Sequence, residues 1–328
     1  MSNLFAPPSP SVVNVRPKPN RLDTPDKAKA YETVVAHFSD PGYQLEWHPT
    51  RPGEAPLNDK HRASAGKAGA QVGPLNDDDK MFLTKECIIR FLAVADDFHL
   101  TKTIPRLEEA VRWRKEMGID DVASMGQELQ DLGALGKFFT FGYGNQGQPL
   151  VFWDADTKKS DPTPSFRTVR SMFFMTERAM DLMVGGVEEV GFILDLGGKV
   201  DRSWAAIEQY KHILHDVQRY YPERLGFACV QHLGMMSKLL VNVMWPFVDP
   251  NTKSKVSFDA KLADGHLAQA QMIPKNFGGA ANIAWDGNVH YREVIEESIA
   301  RRNARAQRWS QLGGVIGLSE LDIVLPLQ

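Results

Sequence analysis

Short, almost wholly apolar runs alternate with amphipathic helical runs from about residue 136 to residue 231, and this rhythm most constrains the fold. Val190 to Asp195 is one such run and Phe227 to Gln231 another. A strand with no polar side is buried on both faces. Between them Trp204 to Arg219 places Ile207, Tyr210, Ile213, Leu214 and Val217 on one helical face. Strand, helix, strand is the order of a parallel or mixed sheet covered by helices. Phe138 to Phe141 and Leu150 to Asp154 read as two strands about a turn at Gly144-Asn145-Gln146-Gly147, and Ser165 to Met183 as a helix.

The flanks differ. The first 75 residues are rich in proline (Pro7, Pro8, Pro10, Pro17, Pro19 and others) and read as extended or disordered, with one helix from Pro25 to Phe38. From Asp77 to Gly118 the pattern is helical, with Asp77 to Asp79 as N-cap and first-turn acids and Gly118 as a stop. Tyr291 to Trp309 is a charged helix. The expected division is 1–75, a largely irregular head; 76–130, a helical module; 131–290, an α/β domain; and 291–328, a helix and tail.

A chain of 328 residues, 43% hydrophobic and 24% charged with a formal net charge of -3, has a globular composition and lacks the basic excess of a dedicated nucleic-acid binder. The two cysteines, Cys87 and Cys229, are read as buried apolar residues, neither a disulfide framework nor a metal site. No signal peptide is legible at the N-terminus. The longest apolar run, Leu239 to Val248, contains Asn242 and Pro246 and falls short of the roughly 20 residues that a spanning helix needs. These features point to the cytosol, with any membrane contact peripheral; a monomer is favoured, with the oligomeric state left open.

Gly142-Tyr143-Gly144-Asn145-Gln146-Gly147 matches the dinucleotide pattern G-x-G-x-x-G, but a strand follows where the pattern needs a helix, so it reads as a hairpin turn. Glu188-Glu189 and the other adjacent acid pairs read as solvated faces. Arg301, Arg302, Arg305 and Arg308 read as a basic helix end that complements the dipole, with contact to anionic membrane as the alternative. The run Met235, Met236, Leu239, Leu240, Val243, Met244, Trp245, Phe247 has almost no polar residue. It is either a buried core helix or an adaptable wall over an apolar cavity, a task suited to methionine.

Several words of the sequence, in order, resemble the CRAL-TRIO family. Ile89-Arg90-Phe91-Leu92 and Trp113-Arg114-Lys115-Glu116-Met117-Gly118 are similar to its N-terminal helices. Gly147-Gln148-Pro149-Leu150, Phe192-Ile193-Leu194-Asp195-Leu196-Gly197-Gly198, Tyr221-Pro222-Glu223-Arg224-Leu225-Gly226, Pro246-Phe247-Val248-Asp249-Pro250 with Ser254-Lys255-Val256, and Ile273-Pro274-Lys275-Asn276-Phe277-Gly278-Gly279 continue the series. The likeness is greatest to the fungal phosphatidylinositol transfer proteins, and Glu177 to Met183 suggests the branch linked to azole tolerance.

The resemblance implies an α/β fold: an N-terminal helical bundle beside a mixed-sheet lipid-binding domain with an apolar cavity closed by a gating helix. It implies a non-enzymatic protein, peripheral at membranes, that extracts and exchanges phosphatidylinositol, with no cofactor and no metal, and that presents the lipid to a kinase. Headgroup binding falls to Glu223, Lys255 and Thr252, the pocket wall to Val190, Phe192 and Leu194, and the gate to residues 235–248. A lysine supplies charge or donors to phosphate or ring, and a carboxylate accepts from hydroxyls. The bland alternatives for Glu223 and Lys255 are a surface salt bridge and a loop lysine. Where some members carry small polar residues for phosphatidylcholine, this chain has Val190 and Phe192, which suit a sterol as second ligand. The family's basic run after Arg-Phe-Leu is here Ala93-Val94-Ala95-Asp96-Asp97, which removes one headgroup contact. Rival functions are a carrier of an uncharged hydrophobe, an oxidoreductase on the glycine turn, and a scaffold with a vestigial cavity.

Overall fold

The structure is a computed structural model that describes residues 5, 13–15, 18–50, 69–95, 98–159, 166–283 and 286–324. The chain divides into two compact units. One comprises residues 1–16, 122–301 and 326–328, the other residues 17–121 and 302–325.

The second unit is helical. It contains α1 (Pro25–Ser39), β1 (Leu45–Trp47), β2 (Gln71–Gly73), α2 (Asp77–Phe82), α3 (Lys85–Ala93) and α4 (Leu100–Met117). The helix expected in the proline-rich head is thus α1, and β1 pairs antiparallel with β2. The cap of α2 is Asn76, not one of the aspartates. Its side chain accepts from the Asp79 amide while Asp79 accepts from the Asn76 amide, a reciprocal capping box. Gly118 ends α4 at φ +66°, the left-handed turn expected there. Residues 51–68, 96 and 97 lie outside the described residues, so the acidic pair Asp96-Asp97 has no structural account.

The first unit contains α5 (Val122–Glu128), α6 (Gln130–Ala134), β3 (Phe138–Tyr143), β4 (Pro149–Asp154), α7 (Arg167–Asp181), β5 (Val190–Asp195), α8 (Trp204–Tyr220), β6 (Leu225–Gln231), α9 (Met235–Met244), α10 (Pro250–Ser254) and β7 (Val256–Phe258). Helix α11 (Gly287–Gln311) and the short α12 (Glu320–Ile323) follow in the chain; residues 302–311 of α11 and all of α12 are counted in the second unit. The five strands form one sheet in chain order. Strands β3 and β4 are antiparallel; β4, β5, β6 and β7 run parallel, joined by helical crossovers. The glycine turn at 144–147 joins β3 to β4, with the Gly144 amide donating to the Gln148 carbonyl, and the next element is a strand. It is a hairpin turn, as its neighbours in sequence require.

The basic run on α11 is not a solvated helix end. The helix continues to Gln311. Arg301 is buried, donating to the carbonyls of Phe5 (2.7 Å) and Leu182 (3.0 Å) and to Glu297 (2.6 Å). Arg302 holds Asp120 at 2.9 Å, and Arg308 donates to the Asp322 carbonyl. Internal carbonyls and carboxylates take up Arg301 and Arg302, while Arg308 stays exposed, so the run is not one continuous solvated basic face.

Candidate functional site

The side chains of each strand alternate between two environments. On one face Phe139, Phe152, Ile193, Phe227 and Cys229 pack with Leu262, Ala268, Ile273 and Phe277. This face is sealed: Phe152, Ile193 and Cys229 are each 0% exposed. On the other face, helices α7, α8 and α9 lie over the sheet. The end of α7 buries Val190 and Val151 with Ala179, Met183 and Val184. Leu240 of α9 packs with Val230 and Leu196, and Ile207 and Tyr210 of α8 lie against the same cluster.

That second face is not sealed. Phe192, Leu194 and Ala228, in the middle of two central strands, are only half-buried. So are Ile207, Tyr210, Ile213, Leu214 and Val217, the whole apolar stripe of α8. Only Ala206 of α8 is fully buried. Interior side chains at close packing leave few voids larger than a water molecule. Here apolar surface on both sheet and helix stays accessible, although Leu194, Ile207 and Tyr210 touch the cluster of Val230 and Leu240, so the contact between the two is incomplete. All three expected wall residues, Val190, Phe192 and Leu194, project to this face, and Val190 alone is sealed by the end of α7.

The greasy run splits into two sides. Ser237 and Leu240 point inward and are buried; Met235, Met236, Leu239, Val243 and Phe247 are exposed, Met235 by 84%; Met244 is intermediate. A buried core helix is therefore excluded. Lys211 lies 5.1 Å from the rings of both Trp204 and Phe247, and Trp204 is 73% exposed. No described helix is long and apolar enough to cross a membrane.

Because β4 to β7 are parallel, the residues just before them lie along one edge of the sheet. They are Gln148, Glu189, Arg224 and Lys255. Lys255 donates from Nζ to the Leu225 carbonyl at 2.5 Å, and Glu189 Oε1 lies 3.5 Å from the same nitrogen. Glu223 stands two residues before Leu225, at φ +56°, a backbone region that non-glycine residues seldom adopt. Its neighbours fasten the turn. The Tyr221 hydroxyl donates to Glu177 at 2.8 Å, and Arg224 donates to the Glu188 carbonyl at 2.9 Å. Thr252 lies in α10, with its amide capped by Asp249 and its carbonyl accepting from the Lys255 amide. Lys255 and the turn carrying Glu223 are therefore brought to one rim, with Thr252 one short helical turn before the lysine.

Two residues at this rim were not singled out from the sequence. Glu189 was read as part of a solvated acid pair. In the structure it precedes a buried strand and turns onto Lys255 across β6. Gln148 is buried beside it, near Gly226. The only local signal was their position immediately before an apolar strand.

Residues 134–279 match the model of the CRAL/TRIO domain. A CRAL-TRIO domain-containing protein of Schizosaccharomyces pombe is 29% identical over 245 residues, 75% of this chain; the chain spans only 24% of that relative's length. The phosphatidylinositol transfer protein PDR17 of Saccharomyces cerevisiae is 25% identical over 307 residues, 90% of this chain and 83% of that one. The SEC14 cytosolic factor of Kluyveromyces lactis is 24% identical over 232 residues, 65% of this chain and 76% of that one.

Proposed function

Because residues 134–279 are a CRAL/TRIO domain, we propose that this chain is a lipid-transfer protein that takes phosphatidylinositol out of a bilayer, shields its acyl chains between the sheet and helices α8 and α9, and releases it to another membrane. One observation carries the proposal: the same strands are sealed on one face and left accessible and apolar on the other. Each methylene exposed to water costs about 0.8 kcal/mol. An apolar lining replaces the bilayer and makes extraction nearly neutral, so the position of α9 governs the rate rather than the equilibrium. At the rim, Lys255 and Glu223 serve the headgroup, the ammonium as donor and the carboxylate as acceptor for ring hydroxyls, with Thr252 beside them. The relatives named as phosphatidylinositol transfer protein and cytosolic factor support this reading. No covalent step is part of it. The chain works in the cytosol, docks transiently on membranes, and hands its lipid to a lipid kinase. The apolar wall at Phe192 suits an uncharged ring system such as a sterol as second ligand.

Mass spectrometry of lipids extracted from the purified protein tests the proposal, and it reads the second ligand as well. Phosphatidylinositol is the expected main species. A charge-assisted hydrogen bond contributes about 1.5–3 kcal/mol. Lys255→Ala and Glu223→Ala should each weaken phosphatidylinositol binding by roughly 10-fold to 100-fold. Unchanged binding in both variants would remove the headgroup assignment.

A further inference from the structure

The rim lysine already holds an anion of its own. Nζ of Lys255 has three hydrogens to donate. One goes to the Leu225 carbonyl at 2.5 Å, and Glu189 Oε1 lies at ion-pair distance, 3.5 Å from the same nitrogen. Both side chains are mostly shielded, the lysine 23% exposed and the glutamate 19%. The pair spans the neighbouring strand, since Glu189 precedes β5, Lys255 precedes β7, and β6 lies between them.

A bulge permits this reach. Val190 pairs with Leu225 and Gly191 with Phe227, so Gly226 is an extra residue on β6. A Cβ at position 226 would come within 3.3 Å of the Glu189 Cβ and of Gln148. The absence of a side chain at Gly226 lets Glu189 lie over the strand and approach the ammonium.

We infer that Glu189 is a specificity-determining residue: it neutralises Lys255, so that the rim recognises uncharged ring hydroxyls and discriminates against headgroups bearing a phosphomonoester. The inference rests on the proposed phosphatidylinositol binding and extends it. With Glu189 in place the charge of the ammonium is balanced, while its N–H groups still donate to the ligand. Glu223 adds a second carboxylate to the same edge. Carboxylates beside an ammonium accept hydroxyl hydrogens readily. A phosphomonoester brings a charge of about -1.5 to -2 at neutral pH. Like charges in a partly desolvated site are not screened as they are in water.

The test measures binding of two lipids from vesicles of phosphatidylcholine: phosphatidylinositol, and phosphatidylinositol with one ring phosphomonoester. The wild-type chain should prefer the first. Glu189→Gln, close in size and neutral, should shift the affinity ratio toward the phosphorylated lipid by at least tenfold. A ratio unchanged in Glu189→Gln overturns the inference. If that variant does not fold by circular dichroism, Glu189→Asp replaces it. Its shorter carboxylate withdraws from Lys255, and the ratio should move the same way by a smaller factor; no movement again overturns the inference. A wild-type chain that binds neither lipid refutes the proposed function itself, a different outcome from binding with an unaltered ratio.

Discussion

Glu223 occupies the tip of a tight turn in a left-handed conformation, and such strain persists only where the surroundings hold it in place. The hold is visible in its neighbours. Tyr221 stacks on Phe173 with ring centroids 5.8 Å apart and donates its buried hydroxyl to Glu177. Removing that hydroxyl leaves a carboxylate that is 4% exposed short of a donor. Tyr221→Phe should therefore cost about 1–3 kcal/mol of stability, read from urea denaturation. A loss within error would show that the turn is held by other means. Glu223 could be singled out from the sequence because the word Tyr-Pro-Glu-Arg is contiguous. Glu189 could not. It and Lys255 are 66 positions apart, and their meeting depends on which strands are neighbours and on one bulge, neither of which is a local property of the chain.

The central strands carry different burdens on their two sides. Ile193 is fully buried among aromatic rings, whereas Phe192, its neighbour in sequence, stays half-buried beneath the helices. Truncating a buried Ile costs about 2–5 kcal/mol through lost transfer energy and a cavity. Truncating a side chain that never left contact with open space costs much less. Ile193→Ala should thus lower stability by about 2–5 kcal/mol, and Phe192→Ala by less than half as much, in the same denaturation measurement. Equal losses would mean that the helix face is as tightly packed as the other, and the carrying observation for lipid binding would fall. The apolar stripe of α8 and the run of α9 were both legible as hydrophobic segments. Their incomplete burial was not, because periodicity states which residues avoid water and says nothing of how closely a partner surface approaches.

For the molecule as a whole, acid should reveal a group that folding holds neutral. Burial lowers the His290 pKa to about 4 from an ordinary 6.5, although its hydrogen bond with the Thr140 carbonyl acts the other way. Between those two values the unfolded chain binds a proton that the folded chain does not. Stability therefore falls as pH drops from 6.5 toward 4, by about 3 kcal/mol in all. His290→Gln should flatten that part of the profile; an unaltered slope would assign the acid sensitivity elsewhere. Asp120 behaves oppositely. Its burial alone would raise the carboxyl, yet Arg114 and Arg302 draw it down to about 2, so its contribution is lost only at lower pH.

The amino-acid sequence by itself determined what short-range physics can determine. Strands and helices follow from the spacing of apolar side chains, the hairpin from glycines followed by a strand, the end of α4 from Gly118, and the family likeness from contiguous words. Tertiary structure decided the rest. It withdrew Arg301 and Arg302 into internal pairs, turned one side of α9 outward, and set Glu189 against Lys255. Each of these depends on a partner distant in the chain, and the free energy of such a contact is a property of the approach of two surfaces, which no single stretch of sequence contains.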